Sequence, residues 1–290
     1  MMKRFLSILL FLPFIAFACS GDDHDDTIKV ITFNIRYDNP ADGANAWPKR
    51  AAQVATFLGE EKPDFFGLQE ALLRQYNYLD SALSGYGSIA VGRSDGAQGG
   101  EMNPVFYRED RFDLVRTNTF WLSETPEVPG SKAWGSSLPR IVTWAELADR
   151  RSGEHIYYFN THFAHDSDSA RVRSSALLLS EAERISGGSM FVITGDFNQY
   201  PDSKGYLLLT QKDNPEPLLK DSYLVSETIP YGPKYTFNGF TDTPGAGRID
   251  YIFVKNGMRV LEHRTIFRKD RGVFISDHWP VVATVVSGGF

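Results

Sequence analysis

The sequence holds one cysteine, Cys19. No intramolecular disulfide can form, and no thiolate cluster can hold a metal. Basic residues are in deficit: 30 Lys and Arg stand against 36 Asp and Glu, a net charge of −6. A long polyanion is bound chiefly through Lys and Arg at its phosphates, so this balance argues against a housekeeping DNA enzyme, though not against a locally basic groove. No apolar run reaches the length that crosses a bilayer; the longest, Phe5 to Ala18, falls short. Internal repeats and composition breaks are also missing, and 290 residues suit one mixed α/β domain with a large core.

At the N-terminus, Lys3 and Arg4 precede the apolar run, and Ala16-Phe17-Ala18 precedes Cys19. A basic start, a short apolar core and small residues at the cleavage point form a signal peptide over 1–18. The segment resembles a bacterial lipoprotein signal in which Cys19 becomes the lipidated N-terminus, with Ala16 where Leu is usual. Secretion after Ala18 is the alternative. Residues 19–26, with the run SGDDHDD, read as an acidic tether too charged to pack. Removal of 1–18 takes away two basic residues and no acid, so the charge moves from −6 to −8. The expected location is outside the cytoplasm, lipid-anchored at the outer membrane or cell surface, or periplasmic. A lipid on Cys19 is then the one membrane attachment, and the chain is expected to be a monomer.

Hydrophobic patterning predicts strands at Ile28–Ile35, Asp64–Leu68, Tyr86–Val91, Pro104–Tyr107, Phe112–Leu122, Ile141–Leu147, His155–Phe163, Phe191–Thr194, Arg248–Val254 and Trp279–Val286. Helices are predicted at Trp47–Glu60, Leu72–Leu83 and Ser167–Ile185, with a Pro/Gly/Ser-rich loop over Ser123–Pro139. Pure βα alternation would give a doubly wound sheet. The consecutive strands point instead to two sheets packed face to face over residues 27–290, with helices outside.

Polar segments recur where strands end: Thr32-Phe33-Asn34, Gln69-Glu70, Asn160-Thr161-His162, Gly195-Asp196-Phe197-Asn198, Arg248-Ile249-Asp250 and Ser276-Asp277-His278. Any one could be a satisfied cap. Together, as acids, amides and imidazoles, they suit a site that binds a hard cation and moves protons.

The strand-terminal QE and the motifs NTH, GDFN and SDH, in this order along the chain, resemble the endonuclease/exonuclease/phosphatase superfamily. The resemblance implies a four-layer α/β/β/α sandwich and a metal-dependent phosphoesterase. It maps the catalytic set onto Asn34, Glu70, His162, Asp196, Asn198, Asp250, Asp277 and His278. Glu70 is then the main metal ligand, with Asn34 beside it and Asp277 sharing a second ion, for Mg²⁺ or Mn²⁺. Asp196 would deprotonate the attacking water, Asn198 would position it, and His162 would donate to a phosphoryl oxygen. His278 would pair with Asp250. The base could equally be His278.

Arg36 and Arg140 are candidate phosphate ligands, since a guanidinium forks onto phosphate oxygens. Arg36 follows Asn34 at period two and should share its side of the strand. Trp134 is a candidate stacking residue, and Asn160 is grouped with the substrate-binding residues. His165 could line the pocket. His155 and His263 read as surface residues, and His24 as inert tether.

The segments TFNIRYDN, FWLSETPEVPGSKAWG and LPRIVTW resemble a bacterial branch in which some relatives act on phosphorylated sugars. A small phosphorylated substrate such as a sugar phosphate is therefore expected ahead of nucleic acid. The alternatives are a secreted or surface nuclease, a sphingomyelinase-like lipid phosphodiesterase, and a non-catalytic binding module.

Overall fold

The computed structural model describes residues 27–211 and 213–286. The signal segment, Cys19 and the tether lie outside the described residues. In chain order the elements are β1 (Ile28–Asn34), α1 (Trp47–Glu61), β2 (Phe65–Gln69), α2 (Leu73–Ala82), β3 (Tyr86–Ile89), β4 (Val105–Arg108), β5 (Phe112–Trp121), β6 (Ile141–Asp149) and β7 (His155–His162). They continue as α3 (Asp168–Ser186), β8 (Met190–Asp196), α4 (Lys204–Thr210), β9 (Leu219–Asp221), α5 (Ser222–Val225), β10 (Asp250–Lys255), β11 (Arg259–Thr265), β12 (Lys269–Asp270), β13 (Val273–Phe274) and β14 (Val281–Val286).

Two six-stranded sheets form, in the orders β11-β14-β1-β2-β4-β3 and β5-β6-β7-β8-β10-β9. Each is mixed: β1 runs parallel to β2 and antiparallel to β14, while β7 runs parallel to β8, which is antiparallel to β10. Three apolar clusters separate the layers. Phe33, Val54, Phe57 and Phe66 pack between α1 and the first sheet. Val30, Phe65, Tyr158, Val192 and Ile252 fill the space between the sheets. Phe159, Phe163, Leu178, Phe191 and Ile193 pack beneath α3. The result is an α/β sandwich of two mixed sheets flanked by helices, as expected.

Strand alternation explains how this core leads to a polar edge. Successive side chains point to opposite faces. On β1, Ile31 and Phe33 face the helix, so Val30, Thr32 and Asn34 face the other sheet. On β8, Phe191 and Ile193 face α3, so Val192, Thr194 and Asp196 face inward. The same parity puts Tyr158, Asn160 and His162 of β7, and Ile252 and Asp250 of β10, on the inner face. Register then aligns the ends: His162 pairs with Asp196, and Asp196 with Asp250.

Helix α3 starts where Ser167 Oγ accepts from the Ala170 amide and stops at Gly187, whose φ of 57° favours glycine. Elements α4, α5, β9 and β11 were not read from the sequence; the first three are short, and β11 lies at a sheet edge. His263 on β11 corrects the surface expectation. It is 1% exposed, its Nδ1 lies 2.9 Å from Ser222 Oγ, and burial and nearby Arg248 push its pKa down to about 3.

Candidate active site

The inner-face polar residues converge where β1, β2, β7 and β8 end and β10 begins. Here Arg36, Glu70 and Asn198 adopt left-handed backbone, with φ of 55°, 62° and 50°. Each such residue costs about 1–3 kcal/mol unless its surroundings enforce it. The surroundings do so. Asn198 N donates to Asp196 Oδ1 at 2.9 Å, and Tyr37 N donates to Glu70 Oε2 at 3.1 Å. Arg50, fully buried on α1, donates to the carbonyls of Ile35, Arg36 and Ile275. Its fork ties the end of β1 to the segment that carries Ser276-Asp277-His278.

The left-handed turn at Arg36 ends the strand, so the period-two argument for this side chain fails. Arg36 lines the pocket nonetheless, pairing with Asp42 at 3.1 Å and lying 3.8 Å from Asp277.

At the centre is Asp196, flanked by two imidazoles. His162 Nε2 lies 3.5 Å and His278 Nε2 3.8 Å from Asp196 Oδ2. His278 Nδ1 lies 2.8 Å from Asp250 Oδ2, the pairing the sequence motifs imply. The two imidazoles are driven to opposite states. Burial works against the charged form of His278, but Asp250 and Asp196 outweigh it and hold its pKa well above the histidine range. Burial, then Arg140 and Arg93, hold His162 well below that range. Its Nδ1 is buried without a hydrogen-bond partner, 4.0 Å from Glu101 Oε2. Burial and the neighbouring Asp250 push Asp196 up to about 7, against His278 and hydrogen bonds from Asn198 and Asn34. A carboxylate near neutrality beside an imidazolium can accept a proton where the imidazolium cannot.

Glu70, His162 and Asp196 place one ligand atom each within 4.8 Å of one another, as do Asp196, Asp250 and His278. A neutral imidazole and two carboxylates suit a divalent cation, whereas the protonated His278 does not. Asn34, expected beside Glu70 at the cation, sits between the carboxylates. Its Nδ2 donates to Glu70 Oε1 (3.1 Å) and Asp196 Oδ2 (3.0 Å), while its Oδ1 accepts from Arg36 N (2.9 Å). Asn34 thus crosslinks two carboxylates, and its Oδ1 keeps a second lone pair beside Glu70. Asp277 faces the same pocket but belongs to neither ligand group.

The pocket is a cavity of about 710 Å³. Arg140 and His165 line it with Glu70, His162, Asp196, Asn198, Asp277 and His278, while Asn34 and Asp250 are not in the lining; Tyr37, Glu101, Phe237 and Phe240, which sequence reasoning missed, line it too. Arg140 is 4% exposed, with Nη2 3.0 Å from His165 Nδ1 and with Nε and Nη1 unpartnered. Arg93 forks onto Glu101 at 2.7 and 2.8 Å.

Two expected substrate ligands lie elsewhere. Trp134 does not line the pocket; its carbonyl accepts from Ser167 Oγ at 2.7 Å, tying the loop to the start of α3. Asn160 is fully buried between the sheets. It accepts from Gln69 Nε2 (2.7 Å) and donates to the carbonyls of Leu68 (2.7 Å) and Pro104 (2.9 Å). A Cβ on Gly67 would meet Asn160 Cγ at 2.3 Å, so the glycine lets the two sheets approach this closely. Asn160→Ala is expected to lower stability by about 1–3 kcal/mol through stranded buried partners. Activity per folded molecule should hardly change, which denaturant titration paired with active-fraction kinetics would read.

The family model described as endonuclease/exonuclease/phosphatase matches residues 31–278. The chain belongs to this family. A family structure from Bacteroides vulgatus is 36% identical, covering 89% of this chain and 98% of that one with a TM-score of 0.85. A mannosyl-6-phosphatase of Bacteroides thetaiotaomicron is 34% identical, covering 89% of this chain and 99% of that one with a TM-score of 0.83. An uncharacterized protein of Acanthamoeba polyphaga mimivirus is 24% identical over 211 residues, 60% of this chain and 31% of that relative's length. Members of this endonuclease/exonuclease/phosphatase family are divalent-metal-dependent hydrolases of phosphoester bonds, and Glu70, His162 and Asp196 form a group able to hold such a cation.

Proposed function

We propose that this phosphoesterase removes a terminal phosphate from a small phosphorylated molecule of the sugar-phosphate class. Arg140 carries the reading. Among the described residues its buried guanidinium has no ion-pair partner, and it faces the pocket that holds the catalytic set. Glu101, Asp196 and Glu70 act on it only from beyond ion-pair distance, and a buried guanidinium with Nε and Nη1 unpartnered is better satisfied once an anion arrives. The terminal group of a monoester brings up to two negative charges, whereas a diester brings one. The likeness to a mannosyl-6-phosphatase supports a sugar carrier.

The proton states support Asp196 as the base. Its carboxylate takes a proton from the water whose oxygen attacks phosphorus, and the bond from phosphorus to the carrier oxygen breaks. The imidazolium of His278, held by Asp250, donates to the phosphoryl oxygens as their charge grows. Asn198 helps fix the water and Arg36 helps hold the phosphate, while neutral His162 stands across Asp196 from His278. A cation held by Glu70 and His162, with Asp196 left free as the base, would stabilise charge on the phosphoryl and leaving oxygens. The carboxylates and the lack of thiolate favour Mg²⁺ or Mn²⁺. The signal pattern at 1–18 supports action outside the cytoplasm, with a lipid on Cys19 as the membrane attachment.

The test is a panel of hexose phosphates, nucleotides, inositol phosphates, sphingomyelin vesicles and nucleic acid, assayed with Mg²⁺ and Mn²⁺ and after chelation. Monoester hydrolysis that chelation abolishes and either metal restores is the expected result. Turnover confined to nucleic acid or sphingomyelin would overturn the substrate reading, and turnover that survives chelation would overturn the metal.

A further inference from the structure

Phe237 has no part in the proton chemistry, yet its ring is 46% exposed inside the pocket. Its position is set by the catalytic segment itself. Asn238 N and Gly239 N donate to the Asp277 carbonyl at 2.7 and 3.1 Å, and Trp279 N donates to the Thr236 carbonyl at 2.7 Å. Asn238 Nδ2 donates to the Ser276 carbonyl at 3.2 Å, and Thr236 Oγ1 accepts from Asp250 N at 3.1 Å. A Cβ on Gly245 would meet the Phe237 carbonyl at 2.3 Å, so the segment also closes against its own far end. The ring leans edge-on against His278, with centroids 5.1 Å apart and planes at 65°. A side chain held this way offers a wide apolar surface and loses little freedom when covered.

The rest of the pocket indicates what covers it. Four carboxylates line the cavity; Glu70 and Asp196 serve the cation and the attacking water, which leaves Glu101 and Asp277 to face the rest of the substrate. Several hydroxyl groups on one ring can donate to these carboxylates together, whereas a nucleobase offers one or two N–H groups along one edge. Leu138, 38% exposed, adds apolar surface to the same lining. A ligand with one apolar face and several hydroxyls satisfies both kinds of surface, as an acyclic phosphate or a lipid chain would not.

We propose that Phe237 is the platform for the non-phosphate part of the substrate, and that this part is a polyhydroxylated ring lying C–H face down on it. The inference rests on the monoesterase reading above and narrows it to phosphate carried on a pyranose. Three probes separate the cases when assayed with the purified protein and Mg²⁺: a methyl hexopyranoside 6-phosphate, a nucleoside 5′-monophosphate and glycerol 3-phosphate. Phe237→Ala and Phe237→Leu should each raise KM for the hexopyranoside by roughly five- to tenfold. The ratio of kcat/KM for the hexopyranoside over glycerol 3-phosphate should fall by the same factor, and Phe237→Tyr and Phe237→Trp should restore it. An equal loss on both probes would mean that the ring merely positions His278, and a loss confined to the nucleotide would mean a base-stacking site; either overturns the inference. If the wild-type protein hydrolyses no monoester, the functional reading itself fails. If it hydrolyses the probes and Phe237→Ala keeps the ratio, this inference alone fails.

Discussion

Asp196→Asn is expected to lower kcat by about 100- to 10,000-fold, the usual contribution of a positioned general base. The same change should leave the metal-free protein as stable as the wild type at low pH and more stable near neutrality. The two effects share one cause. Burial, together with the charge on Asp250, raises the Asp196 pKa to about 7, whereas an unfolded aspartate titrates at about 3.9. Between these values the folded chain keeps a proton that the unfolded chain has released. Stability therefore falls as pH rises through this window, because the unfolded state binds fewer protons there. Asparagine cannot ionise, and the slope due to this position disappears. Thermal melts of both proteins from pH 4 to 8, with metal removed, read the difference directly. Parallel melting profiles would show that Asp196 carries no raised pKa, and an unchanged kcat would remove it from the base role.

Arg140→Met is the second large effect. Methionine fills much of the same volume without charge. Loss of a desolvated charge contact to an anion typically amounts to a few kcal/mol, so kcat/KM for monoesters should fall about 100- to 1,000-fold. Inhibition by inorganic phosphate should weaken in parallel. Stability should rise, since the guanidinium is 4% exposed and its Nε and Nη1 have no partner. Arg140→Lys should not recover the activity, because an ammonium cannot reproduce the fork. Phosphate inhibition constants and melting temperatures measured together decide the matter. A variant that loses stability while still binding phosphate would make Arg140 a structural residue. Both substitutions are expected to trade activity for stability, as at sites where charges are held against their solvation preference.

Much of the site was legible because strand ends announce themselves. Asn34, Glu70, His162 and Asp196 end or follow an apolar strand, Asp250 opens one and His278 lies just before another, and alternation sends those on β1, β7, β8 and β10 to one face. Asn160 followed the same rule and was misjudged for that reason. It has the right parity but sits two residues before His162, between the sheets instead of at their edge. Depth along a strand is visible only once the opposing sheet is in place. Trp134 failed differently, because a Gly/Ser loop has no periodicity from which direction can be read. Phe237 and Glu101 gave no signal at all, since they come from loops whose paths are set by hydrogen bonds to distant segments.

The sequence by itself determined the sandwich, the inner and outer faces of its strands and the residue types gathered at one edge, since alternation and motif are local properties of the chain. The tertiary structure alone decided the proton states and the free charge. Whether His162 is neutral, His278 is charged, Asp196 titrates near 7 and Arg140 keeps Nε and Nη1 unpartnered depends on burial and on neighbours far apart in sequence. Desolvation and Coulomb interactions act through space, and they exist only when the two sheets meet.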